Sequence, residues 1–305
     1  MNESIVSVQN LSRRFRHKIA LADISCEIVR GRVLSLLGEN GAGKTTLIKH
    51  LLGLYAAQSG TVRVFGHDPV REPAATLSHL GYLSEDRDLP GWMRVEELLD
   101  YTRAFYPRWD ARYAAELLRE FDLPPRQKVR RLSRGMLARV GLLVAVAHRP
   151  DLLILDEPSS GLDPGARHDI LTAIVRTIAD EGRTVLFSSH LLHEVQRVAD
   201  DVALLHQGRL VLHEPMEDLL SRYRLVTVRF PECRADPPLL TGLLWLSGSG
   251  SEWTCLCNNH GESVSDEIVK TSGATCIDDR SPSLEELFLA YTRSDDLRET
   301  TTAVK

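Results

Sequence analysis

The chain has no surplus of positive charge. Its 37 Lys+Arg stand against 42 Asp+Glu, a formal net charge of -5 over 305 residues, which leaves no electrostatic case for binding nucleic acid. Long apolar runs are missing as well. The longest, Gly141–Ala147 and Leu239–Leu246, fall well short of the ~20 residues that span a bilayer, so the chain is not expected to cross a membrane. Met1-Asn-Glu-Ser-Ile-Val6 has neither a basic start nor an apolar signal core, and the expectation is a cytoplasmic location. Cysteine is scarce and odd in number: five residues, scattered, with no disulfide framework. Cys255 and Cys257 are the one close pair. CxC without a second pair is a weak metal signal, and alternation with Thr254 and Leu256 places both thiols on one face of a strand. With 43% hydrophobic residues the chain can build a substantial core, as one large or two smaller domains.

What the sequence does contain is Gly38-Glu39-Asn40-Gly41-Ala42-Gly43-Lys44-Thr45-Thr46. Val33–Leu37 before it reads as a buried strand of a parallel sheet and Thr46–Leu52 after it as a helix, the setting in which a GxxxxGKT loop cradles phosphate. The three glycines permit a tight turn whose N–H groups point inward, and the helix N-terminus adds partial positive charge. Lys44 would reach the β- and γ-phosphates, and the Thr45 hydroxyl would ligate Mg²⁺. These residues point to a nucleotide site.

Short β-like pieces, Ile5–Gln9 and Ile24–Val29, open the chain, with Thr61–Phe65 beyond the loop. Phe15 lies between the first two, where its ring either stacks on a purine or fills a core. Apolar residues recur at helical spacing over Val95–Phe105 and Ala111–Phe121, divided by Pro107 and ended by Pro124-Pro125. This is an inserted helical pair rather than another βαβ unit. Leu132-Ser133-Arg134-Gly135-Met136 then precedes a helical run, Leu137–Ala147. Ser133 stands at the N-cap, by itself an ordinary cap and, within a series of phosphate motifs, an anion site. Leu152–Leu155 is too apolar to be exposed and reads as a strand of the parallel sheet beside the loop's own strand. At its end Asp156 would hold Mg²⁺, while Glu157 would accept a proton from the attacking water and orient it. In Ser160-Gly161-Leu162-Asp163-Pro164, Asp163 can cap the helix Gly165–Ala179 with Pro164 at its first position. The strand Thr184–Phe187 ends in Ser188-Ser189-His190, which puts His190 at the ligand edge of the sheet, able to donate to a phosphate oxygen. His193 reads as a helix surface position, since HxxHE fits no zinc pattern.

In this order the motifs resemble one family, the nucleotide-binding subunits of ABC transporters, over about Ile5–Tyr223. The resemblance implies an α/β fold: a P-loop NTPase core with an antiparallel β subdomain and a helical subdomain carrying the signature. It implies ATP and Mg²⁺ as cofactors. Phe15 becomes the adenine-stacking aromatic, Gly38–Thr46 the Walker A loop and Leu132–Met136 the signature. Asp156 becomes the Walker B aspartate, Glu157 the catalytic carboxylate, Ser160–Asp163 the D-loop and His190 the switch histidine. It further implies two subunits paired head to tail, each ATP held between one loop and the partner's signature. A separate polytopic permease would hold the pair at the inner face of the cell membrane.

Two departures stand out. The family's signature is commonly LSGGQ; here Arg134 replaces the first glycine and Met136 the glutamine, while Ser133 and Gly135 remain. Arg134 is tolerable if its φ is negative and adds positive charge near the phosphate or the partner subunit. The form is similar to LSRGQ- or LSKGM-type variants of bacterial exporter ATPases. In Gly81-Tyr82-Leu83-Ser84-Glu85 the family usually has glutamine last. Glu85 can face the Mg²⁺ and the water, against repulsion from Asp156 and Glu157. Leu89-Pro90-Gly91-Trp92-Met93, next in the chain, is either the region that in this family receives the coupling helices of the membrane subunit, or a plain surface loop.

Beyond about Tyr223 the resemblance thins. Leu225–Phe230 and Trp253–Cys257 alternate like strands, Ser247–Ser251 is a Gly/Ser-rich turn, and Ser263–Thr271 can be helical. Ser283-Leu284-Glu285-Glu286 is a capping box leading a helix to Tyr291. An ATP-binding domain of residues 1–224 is thus followed by a small α+β appendage, 225–293, and a polar tail, 294–305. The SPSLEELFLA-like ending is similar to ABC-2-type exporter ATPases, and the appendage is either a buttress or dimer contact, or a regulatory or docking module. The function implied is ATP hydrolysis that powers transport, with export on family likeness. A soluble ABC ATPase of translation or DNA repair would carry two cassettes or a long coiled coil, and neither is visible. An assembly protein that binds ATP with little turnover stays open.

Overall fold

The computed structural model describes residues 3–179, 182–234, 243–258 and 273–292, and the chain divides into two compact units, Met1–His213 and Glu214–Lys305. The first opens with β1 (Ser4–Phe15), β2 (Lys18–Val29) and β3 (Val33–Leu37), then α1 (Lys44–Leu51), β4 (Ser59–Val64), α2 (Pro73–Leu77) and β5 (Leu80–Leu83). Three helices follow, α3 (Val95–Arg103), α4 (Ala111–Glu120) and α5 (Arg134–Val146). Then come β6 (Leu152–Leu155), α6 (Pro164–Ala179), β7 (Thr184–Ser189), α7 (Leu192–Val198), β8 (Asp201–His206) and β9 (Arg209–Pro215).

These elements make two sheets. β2-β1-β4 is antiparallel, and a six-stranded sheet has the order β5-β6-β7-β3-β8-β9, parallel from β5 to β8. Every residue of β3, β6 and β7 is buried, which is why these strands are predominantly apolar, β6 without a break, rather than alternating. The order corrects one expectation. The strand ending in Asp156 is not next to the loop's strand, because β7 lies between them, hydrogen-bonded to both. All three still end on one edge, so the separation brings the end of β7 into the site as a third contributor.

The β2-β1-β4 sheet, α1 and residues of the parallel sheet from β5 to β8 share one core, with Leu11, Leu21, Ile24 and Ile48 fully buried. On the other side α5 packs against α6, β5, α4 and α3. It is buried over much of its circumference, as Ala138, Val140, Leu142, Leu143 and Val146 show, and a helix apolar nearly all round is one enclosed by neighbours.

The second unit contains α8 (Met216–Arg222), β10 (Tyr223–Arg234), β11 (Leu243–Asn258), β12 (Thr275–Arg280) and α9 (284–292). Its sheet is antiparallel in the order β11-β10-β12. Here the expected turn at Ser247–Ser251 is corrected: the segment lies within β11, paired to β10 through a register shift that sets Arg234 opposite Gly250. A bulged ladder accommodates the glycines that in isolation signal a turn. Cys255 and Cys257 are both buried, as one face of a strand implies, and burial pushes the Cys255 thiol up to about 12. The capping box forms: the Ser283 N–H donates to Glu286 Oε2 at 2.7 Å, and the Glu286 N–H donates to Ser283 Oγ at 3.3 Å. The expected helix at Ser263–Thr271 and the tail from residue 294 lie outside the described residues.

Candidate functional site

β3 runs into the glycine loop, and the loop into α1. At Gly43, φ is 115°, and a Cβ would come within 2.6 Å of the Ala20 carbonyl oxygen; at Gly38 a Cβ would meet the Leu205 carbonyl oxygen at 2.5 Å. Only glycine meets both demands. α1 begins at Lys44 with no side-chain cap and no acid in its first turn, so its leading N–H groups and partial positive charge are left for an anion. Lys44 folds back over the loop, its buried Nζ donating to Gly38 O at 2.6 Å and to Glu39 O at 3.4 Å.

A cavity of about 370 Å³ opens over this loop, lined by Phe15, Lys18, Ala20, Glu39, Asn40, Gly41, Gly43, Lys44, Thr45, Thr46, Glu85 and Glu157. Phe15 is not a core residue. It is 37% exposed, with its ring edge to face with Tyr55 at 5.5 Å and the Arg13 guanidinium 4.6 Å from its centroid. Lys18, unremarked in the sequence, brings a second cation to the cavity; no local pattern singles it out.

The carboxylates at the end of β6 are buried and differ in their partners. Ser188 Oγ donates to Asp156 Oδ1 at 2.6 Å, and the Glu157 N–H donates to the same hydroxyl at 2.8 Å. Asp156 Oδ2 is buried with no hydrogen-bond partner among the described residues. Glu157 sits between two bases: Lys44 Nζ lies 3.0 Å from Oε1, an ion pair by distance though without hydrogen-bond angles, and His190 Nδ1 lies 2.7 Å from Oε2. His190 therefore reaches this edge through Glu157. Glu157 also adopts a φ of 46°, a left-handed conformation that non-glycine residues hold only where the surroundings impose it. Glu85 completes the acidic wall, and its carboxyl is held above its usual range, first by burial and then by the charges of Asp156 and Glu157.

A divalent cation fits this arrangement. Asp156 Oδ2 is a buried, unsatisfied anionic oxygen, Thr45 lines the same cavity, and Mg²⁺ shared with phosphates needs only one or two protein carboxylates.

Ser133, Arg134, Gly135 and Asp163 form a second group that does not line the cavity. Ser133 caps α5, its Oγ accepting from the Met136 N–H at 3.2 Å, and is exposed. Arg134 is the first helical residue and has no positive φ, so the arginine fits without strain. Gly135 is buried against α6, where a Cβ would lie 3.0 Å from Ala166 Cβ and 3.3 Å from Asp163 Oδ2. Asp163 Oδ1 accepts from the Ala166 N–H at 3.0 Å, and that bond holds its carboxyl below the usual range.

Two further positions at this edge escaped sequence reasoning. Ser188 ties the Asp156 carboxylate to the Glu157 backbone N–H, and its only signal is its place close to His190 at the end of a buried strand. Arg87 donates to Pro158 O at 3.0 Å and to Ser160 O at 2.8 Å, and nothing near it in sequence announces this.

A parallel sheet whose glycine loop feeds an uncapped helix, with a buried acid pair at the end of the strand two places away, defines a P-loop nucleotide hydrolase. The ABC transporter family matches residues 21–160. The chain is similar to the daunorubicin resistance ATP-binding protein DrrA3 of Streptomyces coeruleorubidus, 34% identical over 225 residues that cover 72% of this chain and 71% of that protein. It is also similar to the bacitracin transport ATP-binding protein BcrA of Enterococcus faecalis, 31% identical over 74% of each chain. A solved ATP-binding subunit of an ABC transporter superposes with a TM-score of 0.67 at 31% identity, covering 72% of this chain and 92% of that one. The chain belongs to the ATP-binding subunits of ABC transporters, ATPases that dimerise and power transport through membrane permease subunits. The readings as a soluble ATPase of translation or DNA repair, or as an assembly protein with little turnover, are not favoured. Among the described residues no helix is long and apolar enough to cross a membrane.

Proposed function

We propose that this subunit drives export, and that its hydrolytic centre is the chain Lys44–Glu157–His190 at the glycine loop. The contact that carries the reading is Glu157 held between a buried ammonium and an imidazole at the edge of the cavity over the glycine loop. When ATP enters, Lys44 exchanges Glu157 Oε1 for the β- and γ-phosphate oxygens. Oε1 is then released to accept a hydrogen bond from the attacking water, while His190 keeps Oε2 in place and fixes the carboxylate plane. Phe15 offers its exposed ring to the adenine. Thr45 and Asp156 would hold Mg²⁺, with Glu85 facing the same cavity, and the ion would neutralise charge developing on the phosphates.

The second wall comes from another subunit, a second copy or a related chain placed head to tail, whose Ser133, Arg134 and Gly135 approach the γ-phosphate, with Asp163 at the junction. The exposure of Ser133 and its absence from the cavity lining support this. The permease meets the pair at Leu89–Met93, where Met93 is buried and Trp92 is 68% exposed. The subunit then lies on the cytoplasmic face of the membrane through that partner. Outward traffic is supported by the relatives' names, one a drug-resistance protein and one a bacitracin transporter.

The test is Glu157→Gln in the purified full chain. Phosphate release is expected to fall by about 10²- to 10⁴-fold, with ATP-analogue affinity retained. Release at the wild-type rate would remove Glu157 from the catalytic role. Purification from membranes, with identification of a co-purifying polytopic subunit, tests the partner.

A further inference from the structure

We propose that Arg87 is a positioning residue for Glu157, acting through the backbone of the loop that follows it. Glu157, which starts this loop, and Arg87, which bonds to it, are both non-glycine residues in the left-handed region. Glu157 has a φ of 46° and Arg87 a φ of 51°, and strain of this kind persists only where neighbouring contacts over-determine it. On one side Glu157 is pinned by its own N–H, which donates to Ser188 Oγ at 2.8 Å. On the other, the turn it starts, closed by the Ser160 N–H on the Glu157 carbonyl at 3.1 Å, presents the Pro158 and Ser160 carbonyls to a single group. That group is the Arg87 guanidinium, at 3.0 and 2.8 Å.

Both bonds come from one nitrogen, Nη2, so two carbonyls two residues apart in sequence are drawn to one point and the turn between them is closed from outside. A guanidinium suits the task because its charge strengthens both bonds and its planar donors are fixed relative to one another. Arg87 is itself held by a turn, its N–H donating to Ser84 O at 3.2 Å. The clamp therefore ties the loop after the carboxylates to the end of β5. Arg134 approaches the same loop from the start of α5, its Nη1 lying 3.8 Å from where a Cβ on Gly161 would be. Without Arg87 the two carbonyls turn to water, the turn opens, and Glu157 relaxes toward an ordinary backbone conformation that no longer sets its carboxylate against Lys44 and His190.

The inference rests on Glu157 being the catalytic carboxylate. In the purified full chain, Arg87→Gln is expected to lower kcat by between about tenfold and a hundredfold, the range that a small misplacement of a catalytic group produces. The KM for ATP and the equilibrium affinity for an ATP analogue should stay within about twofold. Arg87→Lys, which keeps one charged donor for the same carbonyls, is expected to recover part of the lost kcat. Wild-type kcat in Arg87→Gln, a loss shared equally by kcat and nucleotide affinity, or no recovery in Arg87→Lys would each overturn the assignment. Wild-type turnover by Glu157→Gln would instead overturn the catalytic reading on which it stands, so the two failures are separable.

Discussion

The two helix starts that the sequence marks as phosphate-facing, α1 and α5, are finished in opposite ways. α1 has no side-chain cap, begins with a buried lysine and opens onto a cavity. α5 is capped by its own Ser133 hydroxyl, begins with an arginine on the surface and opens onto no part of that cavity. A helix that leaves its first N–H groups unsatisfied inside a fold needs an anion from elsewhere, whereas one that satisfies them locally is stable as it stands. The difference matches the proposal that α1 binds the phosphates of its own chain's nucleotide, while α5 acts on a nucleotide held by another.

The contrast can be broken most forcefully at Lys44. Lys44→Ala should weaken binding of an ATP analogue by about a hundredfold, because truncation leaves phosphate charge in a buried site without its partner. Unchanged affinity in equilibrium titration would mean that the loop alone carries binding. The next effect lies at the far end of α5. His148 is 1% exposed, stacked on Tyr106 at 3.8 Å and bonded through Nε2 to the Leu80 carbonyl of β5. Burial holds its pKa down to about 4, from an ordinary value of 6.5. Between those values the unfolded chain binds the proton and the fold does not. The stability associated with the neutral ring is therefore full above pH 6.5 and lost as the pH falls toward 4, by about 2 kcal/mol after allowance for screening. Denaturation midpoints at pH 7 and pH 5 should differ more in the wild type than in His148→Gln, and equal differences would dismiss His148 as the acid-sensitive anchor. The smallest effect belongs to Ser133. Ser133→Ala should lower stability by about 1 kcal/mol through the lost cap and turnover by about tenfold, with ATP-analogue affinity unchanged. A matching loss of affinity would place Ser133 in its own chain's site and erase the contrast.

Much of the fold was legible because its signals are local. β3 spans the residues that its apolar run marks, α4 begins at Ala111 as its spacing predicts, and Ser133, Asp163 and Ser283 cap the helices that follow them. The loop was legible for the same reason, since glycine, lysine and threonine at that spacing between a strand and a helix have one common structural use. Where local reading failed, the deciding partner was elsewhere. Ser247–Ser251 looks like a turn until β10 pairs with it, and Phe15, open between stacking on a purine and filling a core, lies out of the core once Tyr55 and the cavity are in place.

The sequence by itself determined that this chain holds a nucleotide loop on a parallel sheet, with two acids at the end of a buried strand. Residues in contact along the chain carry those signals. Only the tertiary structure decided that β7 stands between β3 and β6, that Ser188 grips Asp156 and Glu157 from 32 and 31 residues away, and that Arg87 clamps the loop beyond them across 71 and 73. Strand order depends on how the crossovers pack. The partner of a buried carboxylate is whichever donor that packing leaves within reach, and no local pattern records it.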